Sequence, residues 1–258
     1  MPRLKKSLGQ HHLVDGRLCR PLIAFLRPAG RRVLEIGPGG GVLTEQLLAA
    51  GAAVWAWELD LAWACDLRRR TPARPLAVVA GDALALPWEQ VPEGTLAAGN
   101  LPYQVGTAIV RRMLAAAPGV HRAAFLLQRE VVERIVARPG TKTYGALSVE
   151  VQARAKVRVL GRVRPGSFRP PPKVDSAFVG LERSSPPVPE AAMPRLVQVI
   201  RLAFSQRRKT LRNSLASGWG KERAEAVLEA AGIAPGARAE SLSLAEFCSL
   251  FRAYSKAG

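Results

Sequence analysis

Little in this chain of 258 residues can be oxidised, and little of it is acidic. It has three cysteines, Cys19, Cys65 and Cys248. Odd in number and scattered, they form neither a disulfide framework nor a metal-ligand spacing, which fits a reducing cytosol. The three histidines, His11, His12 and His121, have no partners at metal spacing, so no metal is expected. Asparagine occurs only at Asn100 and Asn213, a depletion that suits work at high temperature. No apolar run approaches the ~20 residues of a membrane span. The basic N-terminus has no apolar stretch after it, so a signal peptide is not expected. The sharpest shortage is of acid: 20 Asp and Glu stand against 38 Lys and Arg, for a net charge of +18. A surplus of that size points to a polyanion, above all nucleic acid, because each neutralised phosphate releases counterions.

What is present reads as a doubly wound α/β sheet. Arg32–Ile36 is an apolar strand that runs into Gly37-Pro38-Gly39-Gly40-Gly41 and then a helix from Val42, stopped at Gly51. Strand, glycine loop, helix is a place where free backbone N–H groups meet a ligand. The next strand, Ala52–Trp57, ends at Glu58, placed to accept hydrogen bonds from a ribose diol. Val42 stands where the dinucleotide fingerprint needs a third small residue. The G-x-G-x-G spacing at 37, 39 and 41, with the acid at 58, fits S-adenosylmethionine better. A strand over 76–80 leads to Gly81-Asp82-Ala83, where Asp82 suits either an adenine amine or a turn. A fourth delivers Asn100-Leu101-Pro102-Tyr103. These tips share the carboxyl edge of one sheet, where open α/β sheets bind ligands.

Further along, strands are expected at 121–128, 156–163 and 174–181, and helices at 130–137 and 144–155. Pro165 to Lys173 is a proline-stiffened loop that holds out one aromatic, Phe168. Ser184 to Pro189 reads as a linker, and the remainder as helical, with helices at 191–204, 221–231 and 244–254 and a dense basic run at 205–213. The expected domains are residues 1–185, including a basic N-terminal arm, and a smaller all-α domain at 186–258. The tryptophans at 55, 57, 63, 88 and 219 are assigned to packing.

The tetrad suits the methylation of an exocyclic adenine amine. That nitrogen is a poor nucleophile because its lone pair is delocalised into the ring. Acceptors aimed at its two N–H bonds would localise the pair and align it. The Asn100 side-chain oxygen and the carbonyl of Leu101 or Pro102 are such acceptors. Tyr103 can stack on the base and favour positive charge on the amine. A base must leave its stack to reach such a site, and Phe168 would close its other face.

These residues carry a resemblance. KKSLGQHHL at 5–13, LEIGPGGGVLTEQL at 34–47, WELD at 57–60, GDAL at 81–84, GNLPY at 99–103, the segments at 128–149 and 168–178, and FSQRRKTLRNSL at 204–215 follow in order. The chain resembles the small-subunit branch of the ribosomal RNA adenine N6,N6-dimethyltransferases. The resemblance implies a Rossmann-like class I methyltransferase sheet with a helical C-terminal domain. It implies transfer of two methyls to each of two adjacent adenosines in a hairpin loop near the 3′ end of 16S rRNA, in an immature 30S particle. It also implies cofactor contacts at His11, Leu13, Gly37, Glu58, Asp82 and Asn100, and Gly39 of the loop and Ala83 after Asp82 are expected to bind the cofactor with them. RNA contacts are expected at Lys5, Lys6, Arg169, Lys173, Arg207, Arg208 and Lys209. The arm departs from the family, with His11-His12 where Asn-Phe is usual, which removes an apolar anchor. A cytoplasmic monomer without metal or membrane is expected. The competing readings are a large-subunit rRNA adenine methyltransferase, disfavoured by FSQRRKTLRNSL and the helical C-terminus; a non-catalytic assembly factor, disfavoured by the intact acids and tetrad; and a nicotinamide dehydrogenase, disfavoured by Val42.

Overall fold

Strands buried on both faces read as unbroken apolar runs, and such runs build the centre of the sheet in this computed structural model. The structure describes residues 2, 10–72, 74–206 and 208–256. Lys5, Lys6 and Arg207, expected to touch RNA, lie outside the described residues. In chain order the elements are β1 (His12–Leu13), α1 (Arg20–Leu26), β2 (Arg32–Ile36), α2 (Val42–Ala49), β3 (Ala53–Glu58) and α3 (Leu61–Arg70). Then come β4 (Leu76–Ala80), β5 (Thr95–Asn100), α4 (Gly106–Ala116), β6 (Val120–Gln128), α5 (Arg129–Ile135), α6 (Ala146–Gln152) and β7 (Ala155–Val163). The chain closes with β8 (Phe168–Arg169), β9 (Ser176–Arg183), α7 (Met193–Ala203), α8 (Leu211–Trp219), α9 (Lys221–Ala230) and α10 (Leu244–Lys256).

Seven strands form one sheet in the order β4-β3-β2-β5-β6-β9-β7. The pairs from β4 to β6 are parallel, and β9 runs antiparallel to β6. Winding proceeds outward from β2 to β4, then reverses to β5 on the other side of β2. The crevice between the carboxyl ends of β2 and β5 is therefore the expected ligand site. Helix α3 goes beyond the sequence reading. Asp60 caps it by accepting from the Ala62 N–H, and Trp63, Ala64 and Leu67 are its buried face. Helix α8, over the end of the basic run, starts at Thr210, whose hydroxyl accepts from the Asn213 N–H.

The chain divides into two units, Met1–Val132 with Lys156–Arg183, and Glu133–Ala155 with Ser184–Gly258. The first holds the sheet. The second is helical, and its boundary differs from the expected one: residues 133–155 belong with the C-terminal helices. The reason lies in their side chains. Tyr144, Val149 and Ala153 share one core with Met193, Leu196 and Phe247. The Tyr144 hydroxyl donates to the Leu242 carbonyl at 2.9 Å, and Arg201 grips buried Glu150 through two bonds of 2.8 and 3.1 Å. Of the tryptophans assigned to packing, Trp219 packs against the helical core, while Trp55 is partly exposed. Trp219 stacks on Tyr254 at 4.3 Å, and Trp55 is 38% exposed beneath the Arg32 guanidinium.

Among the described residues no helix is long and apolar enough to cross a membrane, and no cluster of three or more His, Cys, Asp or Glu could hold a metal ion.

Candidate active site

The crevice is a cleft lined by the glycine loop after β2, the end of β3, the tetrad after β5, and residues 10–13 of the arm. Its geometry starts at β2, which ends at Ile36 paired to both Trp57 and Gly99. Register alone thus sets Gly37, Glu58 and Asn100 along one edge. Gly37 and Gly39 have φ of 68° and 48°, where side chains are strained. A Cβ on Gly39 would also come within 2.6 Å of the His12 ring. Glycine here lets the loop turn sharply and lets the arm lie on it.

Glu58 is buried, and its carboxylate accepts from the Gly39 and Asp60 N–H groups, both at 2.9 Å. Burial raises its pKa, against the pull of those hydrogen bonds. Glu35, in the middle of β2, was not among the expected site residues. It is 1% exposed and lines the cleft, and its Oε2 has no hydrogen-bond partner. Burial pushes its pKa up to about 8, with the Thr44 hydroxyl opposing and the Glu58 charge adding. The signal was visible: an acid inside an otherwise apolar strand is costly unless something binds it.

Asn100 donates through Nδ2 to the His11 carbonyl at 2.7 Å. Its side-chain oxygen stays available as an acceptor. The Pro102 carbonyl accepts from Val105 and Gly106, at 3.2 and 2.8 Å, as α4 begins. That leaves the Leu101 carbonyl as the main-chain acceptor of the tetrad, while the Leu101 side chain is buried. The Tyr103 hydroxyl is hydrogen-bonded to Ser176 Oγ at the start of β9, and burial raises the pKa of the phenol.

The arm is placed by a two-stranded ribbon, β1 with β8, that pairs Leu13 with Phe168 and His12 with Arg169. The His11 ring stacks over Tyr103 at 5.5 Å and 25°, and its Nδ1 donates to the Pro170 carbonyl at 2.7 Å. It therefore covers a face of Tyr103 on which a flat base would stack. His12 sits edge-on to Trp63 at 4.6 Å. Burial, with the charge of His11 adding, lowers its pKa and favours the neutral ring. Where an apolar anchor was expected to be lost, half-buried His12 makes this aromatic contact.

Three expected site residues stand elsewhere. Phe168 is not held out by its prolines. It is 2% exposed and packs with Leu13, Leu22 and Phe178 in the core of the sheet unit, because the β1–β8 pairing turns it inward. It offers no wall to a base in this conformation. Asp82 and Ala83 follow β4 but do not line the cleft. Asp82 is exposed and accepts from the Leu84 N–H at 2.8 Å, so it shapes a turn. Ala83 is buried, and its carbonyl accepts from the Trp88 indole. Arg169 and Lys173 are exposed on the loop that carries β8, and Arg208 and Lys209 are exposed between α7 and α8.

Strand order, the glycine loop and a cleft at the reversal of winding together define a class I methyltransferase. Within that class the chain belongs to the ribosomal RNA adenine dimethylase family, whose model matches residues 1–256. It is 42% identical over 251 residues to ribosomal RNA small subunit methyltransferase A of Xanthomonas campestris pv. campestris strain B100, covering 95% of this chain and 94% of that one. Among solved structures it is similar to a dimethyladenosine transferase from Plasmodium falciparum, with a TM-score of 0.84, 25% identity and coverage of 96% and 98%. The 23S rRNA methyltransferase ErmE is 29% identical, with a TM-score of 0.67 and coverage of 98% of each chain.

Proposed function

We propose that the protein transfers methyl groups from S-adenosylmethionine to N6 of two adjacent adenosines in the 3′-terminal hairpin loop of 16S rRNA. It acts as a cytoplasmic monomer on an immature 30S subunit, and each adenosine becomes N6,N6-dimethyladenosine. The observation that carries this reading is the arrangement at Asn100. Its amide N–H is tied down by the His11 carbonyl, so its oxygen is oriented. With the Leu101 carbonyl it supplies two acceptors on one turn. Such a pair suits the two N–H bonds of an adenine amine and holds its lone pair out of conjugation. A second methyl needs the same nitrogen with one N–H bond left, which one acceptor still holds.

The cleft suits the cofactor on three counts. The glycine loop allows close approach, Glu58 stands at the end of β3, and the buried Glu35 oxygen is a polar group that a bound guest can satisfy. When bound, the cofactor supplies an electrophilic methyl on a cationic sulfur. The chain's part is to orient the amine, exclude water and stack the base. Because the His11 ring covers Tyr103, a base taking that face must displace it, and the arm then closes over the base instead.

Small-subunit rRNA is favoured over large-subunit rRNA by the names of the relatives at about 40% identity. The test is mass spectrometry of 3′-terminal 16S fragments after incubation of unmethylated 30S particles with labelled cofactor. Two adjacent dimethyladenosines are expected; label on 23S rRNA alone would overturn the assignment. Asn100→Ala is expected to lower single-turnover methyl transfer by about 10²–10³-fold while 30S binding is kept. Equal loss of both would make Asn100 a structural residue.

A further inference from the structure

The last strand of the sheet carries a charge pattern that the cleft does not use. Along β7, Lys156, Arg158 and Arg162 are exposed, and Arg164 follows just past its end. They share one parity of the chain as two pairs separated by Leu160, and within each pair the residues are about 6.6 Å apart along the strand. Among the described residues none of the four is paired with an acid. Arg158 is held in place: its guanidinium lies over the Phe25 ring at 4.5 Å, on the side of the sheet that α1 covers. Pro21 of α1 stands over Gly161, where an added Cβ would meet its ring at 3.5 Å, and exposed Arg20 precedes it on the same rim.

Charges on an edge strand also serve to prevent edge-to-edge pairing. That purpose does not account for this pattern. The opposite edge, β4, is Leu-Ala-Val-Val-Ala, with no charged residue of its own and an Arg68 guanidinium on its Val78 carbonyl, against four cations along and just past β7. Lys156 and Arg158 lie near the start of β7, and Arg162 and Arg164 at the end that leads to the cleft. The Arg164 carbonyl accepts from Ser167, the Ser167 carbonyl accepts from Val14 of the arm at 3.1 Å, and Arg169 pairs with His12.

We infer that the exposed edge of β7, with the rim of α1, is a docking track for the sugar-phosphate backbone of RNA, leading the substrate strand to the arm that closes the cleft. The inference rests on the RNA-methylating reading of the cleft. The cations neutralise phosphates without reading bases, so the track sets position and leaves sequence choice to the cleft.

The test compares two double variants of equal charge change on unmethylated 30S particles. Lys156→Gln/Arg162→Gln removes two charges from the track. Arg69→Gln/Arg74→Gln removes two beside the opposite edge. Titrated across salt concentrations, the first is expected to reduce the slope of log K against log salt by about 1.5 and to weaken binding about tenfold at low salt. The second is expected to leave both unchanged. Cofactor binding by calorimetry, unchanged in both, shows that the fold is kept. An unchanged slope in the first variant, or equal losses in the two, overturns the track. A parent protein that binds 30S but transfers no methyl overturns the reading of the cleft instead, whatever the slopes.

Discussion

Phe168 and Glu35 show how a single residue's role depends on what covers it. Phe168 sits between prolines and cations in sequence, a setting that suits an exposed stacking wall. Its strand partner, Leu13, lies 155 positions away, and no local pattern announces a two-residue strand made by that pairing. Since Phe168 is core, Phe168→Ala is expected to cost about 3–5 kcal/mol, read as a lower urea midpoint. A base wall would instead lose activity at unchanged stability. Glu35 has the opposite history: its burial was legible in the strand Arg-Val-Leu-Glu-Ile, and its importance was overlooked. Its pKa, raised from 4.5 to about 8, means that the folded protein keeps a proton which the unfolded chain releases. Its contribution is fully present below about pH 4.5 and is lost as pH rises to about 8. Glu35→Gln is expected to flatten that decline. Urea unfolding at pH 5 and pH 8 checks it, since the parent should lose more stability than the variant over that interval.

At the scale of elements, the turn after β5 that carries the proposed catalytic tetrad is tied to the first residue of β9. Ser176 is fully buried and its hydroxyl meets the Tyr103 hydroxyl, so β9 holds the ring that stacks. The strands β2 and β5, and the later part of β6, were readable because burial on both faces leaves little choice of residue type. This tie was not, because a Ser at a strand's start carries no signal until its neighbour is known. Tyr103→Phe and Ser176→Ala each remove one half of the bond and leave the other half buried, at a cost of about 1–3 kcal/mol. Each is expected to lower kcat about tenfold, with little change in the KM for cofactor. The double variant is expected to be no worse than either single one, since both act through one bond. Additive losses in steady-state kinetics would show that the two side chains act separately.

At the scale of the whole molecule, the net charge of +18 is shared between units with different cores. The boundary at 133–155 was illegible because allegiance there is decided by a distant partner. Tyr144 reaches Leu242, 98 positions on, while the next strand, β7, returns to the sheet. This interleaving lets the helical unit be altered without touching the cleft, which separates binding from chemistry in an experiment. Arg208 and Lys209, exposed between α7 and α8, form no ion pair with an acid among the described residues. If they meet phosphates, Arg208→Gln/Lys209→Gln reduces the slope of log K against log salt by about 1.5. The affinity for cofactor is expected to stay at the parent value, because every residue lining the cleft belongs to the sheet unit. Methyl transfer at saturating 30S is likewise expected to remain near the parent rate, so the loss falls on KM for the particle. A fall in kcat with KM unchanged would mean that this basic run helps to present the adenosines to Asn100 rather than to hold the particle.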